Sequence, residues 1–238
     1  MYFMEVGTVQ ESSERLFSQT VEDYVKSIYL LQQDSGSVGT SELAKKMKTS
    51  PAASTKMIKH LTENRLAEHT KYHGVRLSAA GEKIALEIIR HHRLIELYLH
   101  QALGYEWDEV DAEAEKLEHH ISEDFEARID KILDYPLTDP HGDPIPTREL
   151  EIAPQRGAPL DNSEPGETLI ILRVRDNPEA LRYLRQLEMR LGTVLEVTEK
   201  QPFNGPITLK IGDKIHSIGR ELAGHVFVER HQTLPSRE

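Results

Sequence analysis

The chain has 238 residues, 38% hydrophobic and 29% charged, with 40 acids against 29 bases for a net charge of −11, and it contains no cysteine. That length holds one large domain or two to three small ones, and the missing sulfur excludes disulfides, thiolate metal sites and cysteine nucleophiles. No apolar run nears the roughly 20 residues that cross a bilayer, and the start, MYFMEVGTVQESSERLFSQT, lacks both the basic and the apolar region of a secretory leader, so a cytoplasmic protein is expected.

An average this acidic argues against a nucleic-acid partner, whose footprint is basic, unless the charge is segregated along the chain. In TVEDYVKSIYLLQQ, Val21, Tyr24, Val25, Ile28 and Leu31 recur at helical spacing and predict a first amphipathic helix. A short helix comes next in GTSELAKKMK, and Ser50-Pro51, an N-cap followed by proline at the first helical position, opens a third over PAASTKMIKHLTENRL. Polar alternation around His73-Gly74 in LAEHTKYHGVRLS predicts a β-hairpin. The next helix, AGEKIALEIIRHHRLIELYLHQAL, is apolar almost all round and should be buried on most faces. A fifth, acidic helix is predicted from about Trp107 to Leu133.

Seven of the twelve prolines fall between Pro136 and Pro165, a density that interrupts helices and sheets alike. Beyond them ETLIILRV, TVLEVTEK, ITLKI, DKIHSI and HVFVER alternate with turns and one helix, PEALRYLRQLEMRLG, which suggests a small barrel.

The charge is in fact segregated. Residues 41–76 hold eight bases (Lys45, Lys46, Lys48, Lys56, Lys59, Arg65, Lys71 and Arg76) against three acids, a local +5 that leaves −16 on the rest. This basic island coincides with helix, turn, capped helix and hairpin, the outline of a winged helix-turn-helix. Ser50, Pro51, Ala52 and Ala53 are small enough for the helix start to approach a DNA groove closely. Ser54, Thr55, Lys56 and Lys59 are placed to reach phosphates or base edges, and Lys71, Tyr72 and Arg76 in the hairpin to clasp an adjacent backbone.

A second constellation lies behind the hairpin. His92 and Glu96 are four apart, on one helical face; Glu115, Glu118 and His119 stand at i, i+3 and i+4 on the next helix; and Asp23 adds a carboxylate on the first. Imidazoles and carboxylates without sulfur suit a borderline-to-hard divalent ion such as Mn²⁺ or Fe²⁺.

In VEDYVKSIYLL, TSPAASTKMIKHL, KYHGVRLSAAG, RHHRLIELYL and AEKLEHHIS, in that order, the chain resembles the diphtheria toxin repressor and manganese transport regulator group of metal-dependent repressors, closely over about residues 20–135 and more loosely beyond. The resemblance implies a mainly α N-terminal part, a winged helix-turn-helix (1–77) plus a helical metal-binding and dimerisation domain (78–150), then a proline-rich linker (151–165) and a small SH3-like β-barrel (166–238). It puts Asp23, His92, Glu96, Glu115, Glu118 and His119 on ligand positions. Asp23 and Glu115 replace the methionine and cysteine of iron-responsive members, which points to Mn²⁺ with Fe²⁺ as the alternative. Asp111 stands where iron-type members carry a histidine in an ancillary site, and Asp176 and Glu179 are its candidate ligands from the barrel. Lys26 stands where short manganese regulators have a glutamate ligand, so a closely spaced binuclear site of their kind is not expected. Arg93 either offsets the carboxylate charge, holds an anion or is a plain surface arginine.

The implied function is a metal-dependent transcriptional repressor, a homodimer on double-stranded operator DNA controlling metal-uptake genes, with no membrane and no small organic substrate as partner. Two alternatives stay open. One is a winged-helix regulator of a small molecule, with the His/carboxylate cluster structural; the other, more distant, is a metal-dependent hydrolase. No nucleophile elbow, phosphate loop or H-E-x-x-H motif is present, so an enzyme is not expected.

Overall fold

The computed structural model describes residues 17–231. The N-terminal stretch without leader features therefore lies largely outside the described residues. The chain divides into two compact units after Ala85.

In the first unit, α1 (Gln19–Ser35) buries Val21, Tyr24, Val25 and Ile28 on one stripe, as the spacing predicts, and ends where Gly36 takes a left-handed φ of 72°. The short α2 (Thr40–Lys46) leads into α3 (Pro51–Glu63), whose N-cap Ser50 accepts a hydrogen bond from the Ala53 N–H at 3.2 Å. A cap of this kind stabilises a helix by about 1 kcal/mol. The hairpin pairs β1 (Ala67–Thr70) with β2 (Gly74–Leu77) in antiparallel register, Ala67 opposite Leu77 and Thr70 opposite Gly74. Val38 adds a bridge to Val75 through two backbone hydrogen bonds of 2.9 Å. Gly74 is required there: at φ 90° a Cβ would lie 2.5 Å from the Val38 carbonyl oxygen.

The unit boundary falls within α4 (Ala79–Leu103), a 25-residue helix. Most of its residues from Leu86 to Leu99 are buried, which is why it reads as apolar all round. The single acidic helix expected over 107–133 is instead two, α5 (Val110–Leu117) and α6 (Glu123–Ile132). The physical reason is a fresh N-cap: Ser122 takes extended backbone and accepts from the Phe125 N–H at 3.3 Å. Arg90 ties α4 to α6 and to the proline-rich segment, donating to Glu126 (2.6 Å), Asp130 (2.7 Å) and the Pro146 carbonyl (2.7 Å).

The small β-domain carries β3 (Ala158–Pro159), β4 (Thr168–Val174), β5 (Val194–Lys200), β6 (Ile207–Ile211), β7 (Lys214–Ile218) and β8 (Val226–Arg230), ordered β3-β8-β4-β5-β6-β7 with antiparallel neighbours. Strand β3 lies inside the stretch expected to be a linker. Helix α7 (Pro178–Gln186) and the four-residue α8 (Arg220–Ala223) complete it. Its core gathers Leu160, Ile171, Leu181, Leu184, Met189 and Leu209, and it takes in Trp107 from ahead of α5. The indole N–H donates to the Leu181 carbonyl at 3.2 Å, and neighbouring Asp108 pairs with Arg182 and Arg185 of α7 at 3.3 and 3.2 Å. No helix among the described residues is long and apolar enough to cross a membrane.

Candidate metal centre and nucleic-acid interface

In the first unit α3 turns Pro51, Ala52, Thr55, Lys56 and Lys59 to the outside, and Ser50 is exposed at its start. Ser54 corrects the expectation. It is fully buried, with its hydroxyl 3.3 Å from that of Tyr24 on α1, because it shares the inward face with Ile58 and Leu61. It therefore helps hold α3 and does not face a groove. At the hairpin tip Lys71 lies over the Tyr72 ring at 4.9 Å, and Tyr72 is 90% exposed. Arg76 is exposed on β2. Asp23 lies half-buried on α1.

The second unit collects the remaining acids and imidazoles. His92 is the hub. Its Nδ1–H donates in a very short hydrogen bond to Glu118 Oε2, which fixes the ring and turns Nε2 toward two further carboxylates. That nitrogen faces Glu96 Oε1 at 3.4 Å and Asp111 Oδ1 at 3.6 Å. His92, Asp111 and Glu115 bring one donor atom each to within 4.8 Å of one another, and so do Glu96, Asp111 and Asp176. Glu118, fully buried at the end of α5, also lies 3.3 Å from His119 Nε2, while its carbonyl takes a 3.2 Å contact from His91 Nδ1. Because α5 stops at Leu117, Glu115 is exposed whereas Glu118 and His119 are buried, and His92 is the group that meets both Glu115 and Glu118. Asp176 joins the cluster from the end of β4. Glu179, on the exposed side of α7, is in none of the clusters among the described residues, so its expected part in the ancillary site is not met.

The segment that proline density marks as irregular supplies residues that the sequence did not single out. Residues 138–144 form a tight loop in which Asp139 Oδ1 accepts from the backbone N–H of His141 (2.8 Å) and of Asp143 (3.0 Å). Gly142, at φ 88°, sits so close to β4 that a Cβ would lie 2.2 Å from the Leu172 carbonyl. Asp139, His141 and Asp143 are all buried. Arg93 is buried too, with Nη1 bound to the Pro144 carbonyl and contacts of 3.5 Å to Asp139 and 4.0 Å to Asp143. Of its three possible roles it takes the first, offsetting carboxylate charge. Asp143 also faces Arg173 at 3.5 Å, whose guanidinium stacks on the Phe227 ring. The signal for this loop was present: D-P-H-G-D places three titratable groups in five residues.

The electrostatics match the crowding. Burial pushes Asp139 up to about 7, with Glu96 and Asp143 adding to it. Asp176, though an exposed residue overall, is raised as well to about 7, first by the shielding of its carboxyl from water and then by Asp111. Glu96 goes the other way: burial pushes it up, but His92, His141 and Arg93 outweigh that and hold it below the usual carboxylate range. His141 is lowered by burial and more than restored by Glu96 and Asp139. Glu96 Oε1 is nevertheless left buried with no hydrogen bond among the described residues. Such an oxygen is destabilising by roughly 1–3 kcal/mol unless something positive meets it. A set of nitrogen and oxygen donors around that atom fits a divalent cation.

Comparison with known proteins agrees with this arrangement region by region. Residues 16–75 match the iron dependent repressor N-terminal DNA binding domain, residues 78–147 the iron dependent repressor metal binding and dimerisation domain, and residues 158–230 the FeoA domain. The chain is 33% identical over 140 residues to the iron-dependent repressor IdeR of Mycobacterium tuberculosis, 58% of this chain and 61% of that protein's own length. It is 29% identical over 116 residues to the HTH-type transcriptional regulator MntR of Bacillus subtilis, covering 49% of this chain and 81% of that one. Among solved structures, a manganese-dependent transcriptional repressor in complex with manganese superposes with a TM-score of 0.83 at 34% identity, over 89% of this chain and 100% of the other. ScaR with bound Cd²⁺ gives 0.77 at 32%, over 89% and 99%.

Proposed function

Since the chain belongs to the family of iron- and manganese-dependent repressors, we propose that it is a cytoplasmic, metal-responsive repressor that binds operator DNA as a homodimer and controls metal-uptake genes. The observation that carries the metal half is the buried Glu96 Oε1, which has no hydrogen bond among the described residues and is faced by imidazole nitrogen and ringed by carboxylates. The donors hold no sulfur, which favours Mn²⁺, with Fe²⁺ second.

Glu115, Glu118 and His119 would hold one ion, and His92, Glu96, Asp111 and Asp176 an ancillary one. The ion supplies, when bound, the positive charge that these carboxylates lack. Without it they repel one another; with their charge offset they converge. Operator affinity then rises only by the difference in metal affinity between the DNA-competent and incompetent states. Thr55, Lys56 and Lys59 on α3 and Lys71, Tyr72 and Arg76 on the hairpin make the DNA contacts, with Ser50, Pro51 and Ala52 at the closest approach. Exposed apolar side chains in the second unit, Phe125 and Ile132 on α6 and Leu103 at the end of α4, support a dimer surface there. A twofold dimer in turn implies a pseudo-palindromic operator.

The test is operator binding by the purified chain titrated separately with Mn²⁺, Fe²⁺ and Zn²⁺, and with metal removed. Tight binding only with metal, best with Mn²⁺, is expected; equal binding without metal overturns the proposal.

A further inference from the structure

Glu118 ends α5, and the last carbonyls of a helix find no N–H one turn further on. The Glu118 carbonyl oxygen is met from the neighbouring helix instead, where His91 Nδ1 on α4 lies 3.2 Å away. The next residue along α4, His92, takes the same glutamate by its carboxylate. Two consecutive imidazoles thus hold one residue, His91 by its main chain and His92 by its side chain.

The far nitrogen of His91 is held as well. Nε2 lies 3.0 Å from Glu126 Oε2 on α6, and the other oxygen of that carboxylate accepts from Arg90 Nε at 2.6 Å. Burial raises Glu126, but the bonds from His91 and Arg90 outweigh it and hold it below the usual carboxylate range. Arg90 is itself tied down by Asp130 and by the Pro146 carbonyl, each at 2.7 Å. His91 is buried between these anchors, so a ring turned away from either partner would leave a buried polar atom unmet. It is not placed as a ligand: both nitrogens face acceptors of the chain, and His91 is in none of the cation clusters among the described residues. What it controls is the seat of the Glu118 main chain. A shift there would carry the Glu118 carboxylate away from His92 and from His119 Nε2, which it meets at 3.3 Å.

We propose that His91 is a positioning residue of the metal centre: anchored by Glu126, it fixes the Glu118 main chain and so presents the Glu118 carboxylate and His119 to the ion. The proposal rests on the assignment of Glu118 and His119 as ligands made above.

Mn²⁺ affinity of the full-length chain is measured by titration calorimetry, beside melting in EDTA, for the unaltered protein, Glu118→Ala, His91→Ala, His91→Asn, His91→Gln, Glu126→Ala and the double variant His91→Ala/Glu126→Ala. The binding step weakened in Glu118→Ala marks the ion concerned. At that step His91→Ala and Glu126→Ala are each expected to weaken binding about tenfold, and the double variant by no more, where independent effects would multiply to about 100-fold. The amide nitrogen of asparagine stands one bond beyond Cγ, as Nδ1 does, so His91→Asn keeps a donor for the Glu118 carbonyl and should restore most of the affinity. His91→Gln puts its amide where Nε2 lies, toward Glu126, and should bind as weakly as His91→Ala. If the EDTA melt shows that His91→Ala does not fold, the contrast between His91→Asn and His91→Gln decides. Unchanged affinity in His91→Ala, with only a lower melting temperature, makes His91 purely structural and overturns the proposal. Equal binding by His91→Asn and His91→Gln does the same, as does a double variant whose losses multiply. A Glu118→Ala variant that weakens no step removes the ligand assignment itself, and this proposal with it; normal dependence on Glu118 with failure at His91 leaves that assignment standing.

Discussion

The face of the first unit that carries Lys56, Lys59, Lys71 and Arg76 and the cluster around Glu96 in the second handle charge in opposite ways. The bases are exposed and their side chains solvated, so holding them apart from acids needs no special partner. The acids at 96, 118 and 139 are buried, where an unpaired charge is expensive, and each is braced by an imidazole, a guanidinium or a backbone N–H. An exposed patch can be tuned one residue at a time and is weakened by salt. A buried cluster acts as a set, and removing one member leaves its neighbours unpaired.

The strongest way to break that contrast is Glu118→Ala. It removes the acceptor that fixes the His92 tautomer, and Mn²⁺ affinity should fall by about 100-fold. Operator binding measured by fluorescence anisotropy should then no longer respond to Mn²⁺; an undiminished response would mean that the cluster is not the sensor.

A pH series probes the same cluster without mutation. Asp139, buried, has a folded value near 7 against 3.8 for a free aspartate, and His141 is also raised. Groups raised on folding contribute stability that is full below their unfolded value and lost as pH climbs through the folded one. The melting temperature of the metal-free protein should therefore fall from about pH 4 to about pH 7 as Asp139 loses its proton, with His141 extending the fall upward from about pH 6.5, and Mn²⁺ should remove most of that fall. Glu96 and Glu126, both lowered from 4.5, act with the opposite sign and only below about pH 4.5, so the fall is read above that. A flat melting profile in EDTA would show that the acids are not crowded.

On the exposed side the effects are smaller. Lys56→Ala should weaken operator binding alike for all sequences and reduce the slope of log affinity against log salt by about one, with Mn²⁺ affinity unchanged. Ser54→Ala should leave operator affinity alone and destabilise the first unit by about 1 kcal/mol through the lost contact with Tyr24. If its operator affinity drops like that of Lys56→Ala, Ser54 faces DNA after all.

The features legible in the sequence are those with a local cause. Ser50-Pro51 announces α3, the apolar stripe on α1 and the run along α4 announce their burial, and His73-Gly74 marks the hairpin. Ser54 was legible as well, since 54, 58 and 61 fall on one helical stripe, but its neighbours at the helix start drew attention to the groove instead. The break after Leu117 depends on one serine cap within a continuous acidic pattern, too weak a signal to outweigh the periodicity around it. The loop at 138–144 was hidden for a different reason. Proline density tells of missing regular structure and says nothing about burial, which here is decided by packing against β4 some thirty residues away.

Trp107 is the chain's single tryptophan; its indole is buried in the β-domain core, its carbonyl holds His141, and the two rings lie 6.3 Å apart. Excited at the red edge of the protein band, the molecule therefore emits from one known place beside the acid cluster. An unlabelled sample in a fluorimeter thus carries its own gauge there, and a paramagnetic ion such as Mn²⁺ arriving in that cluster would dim it.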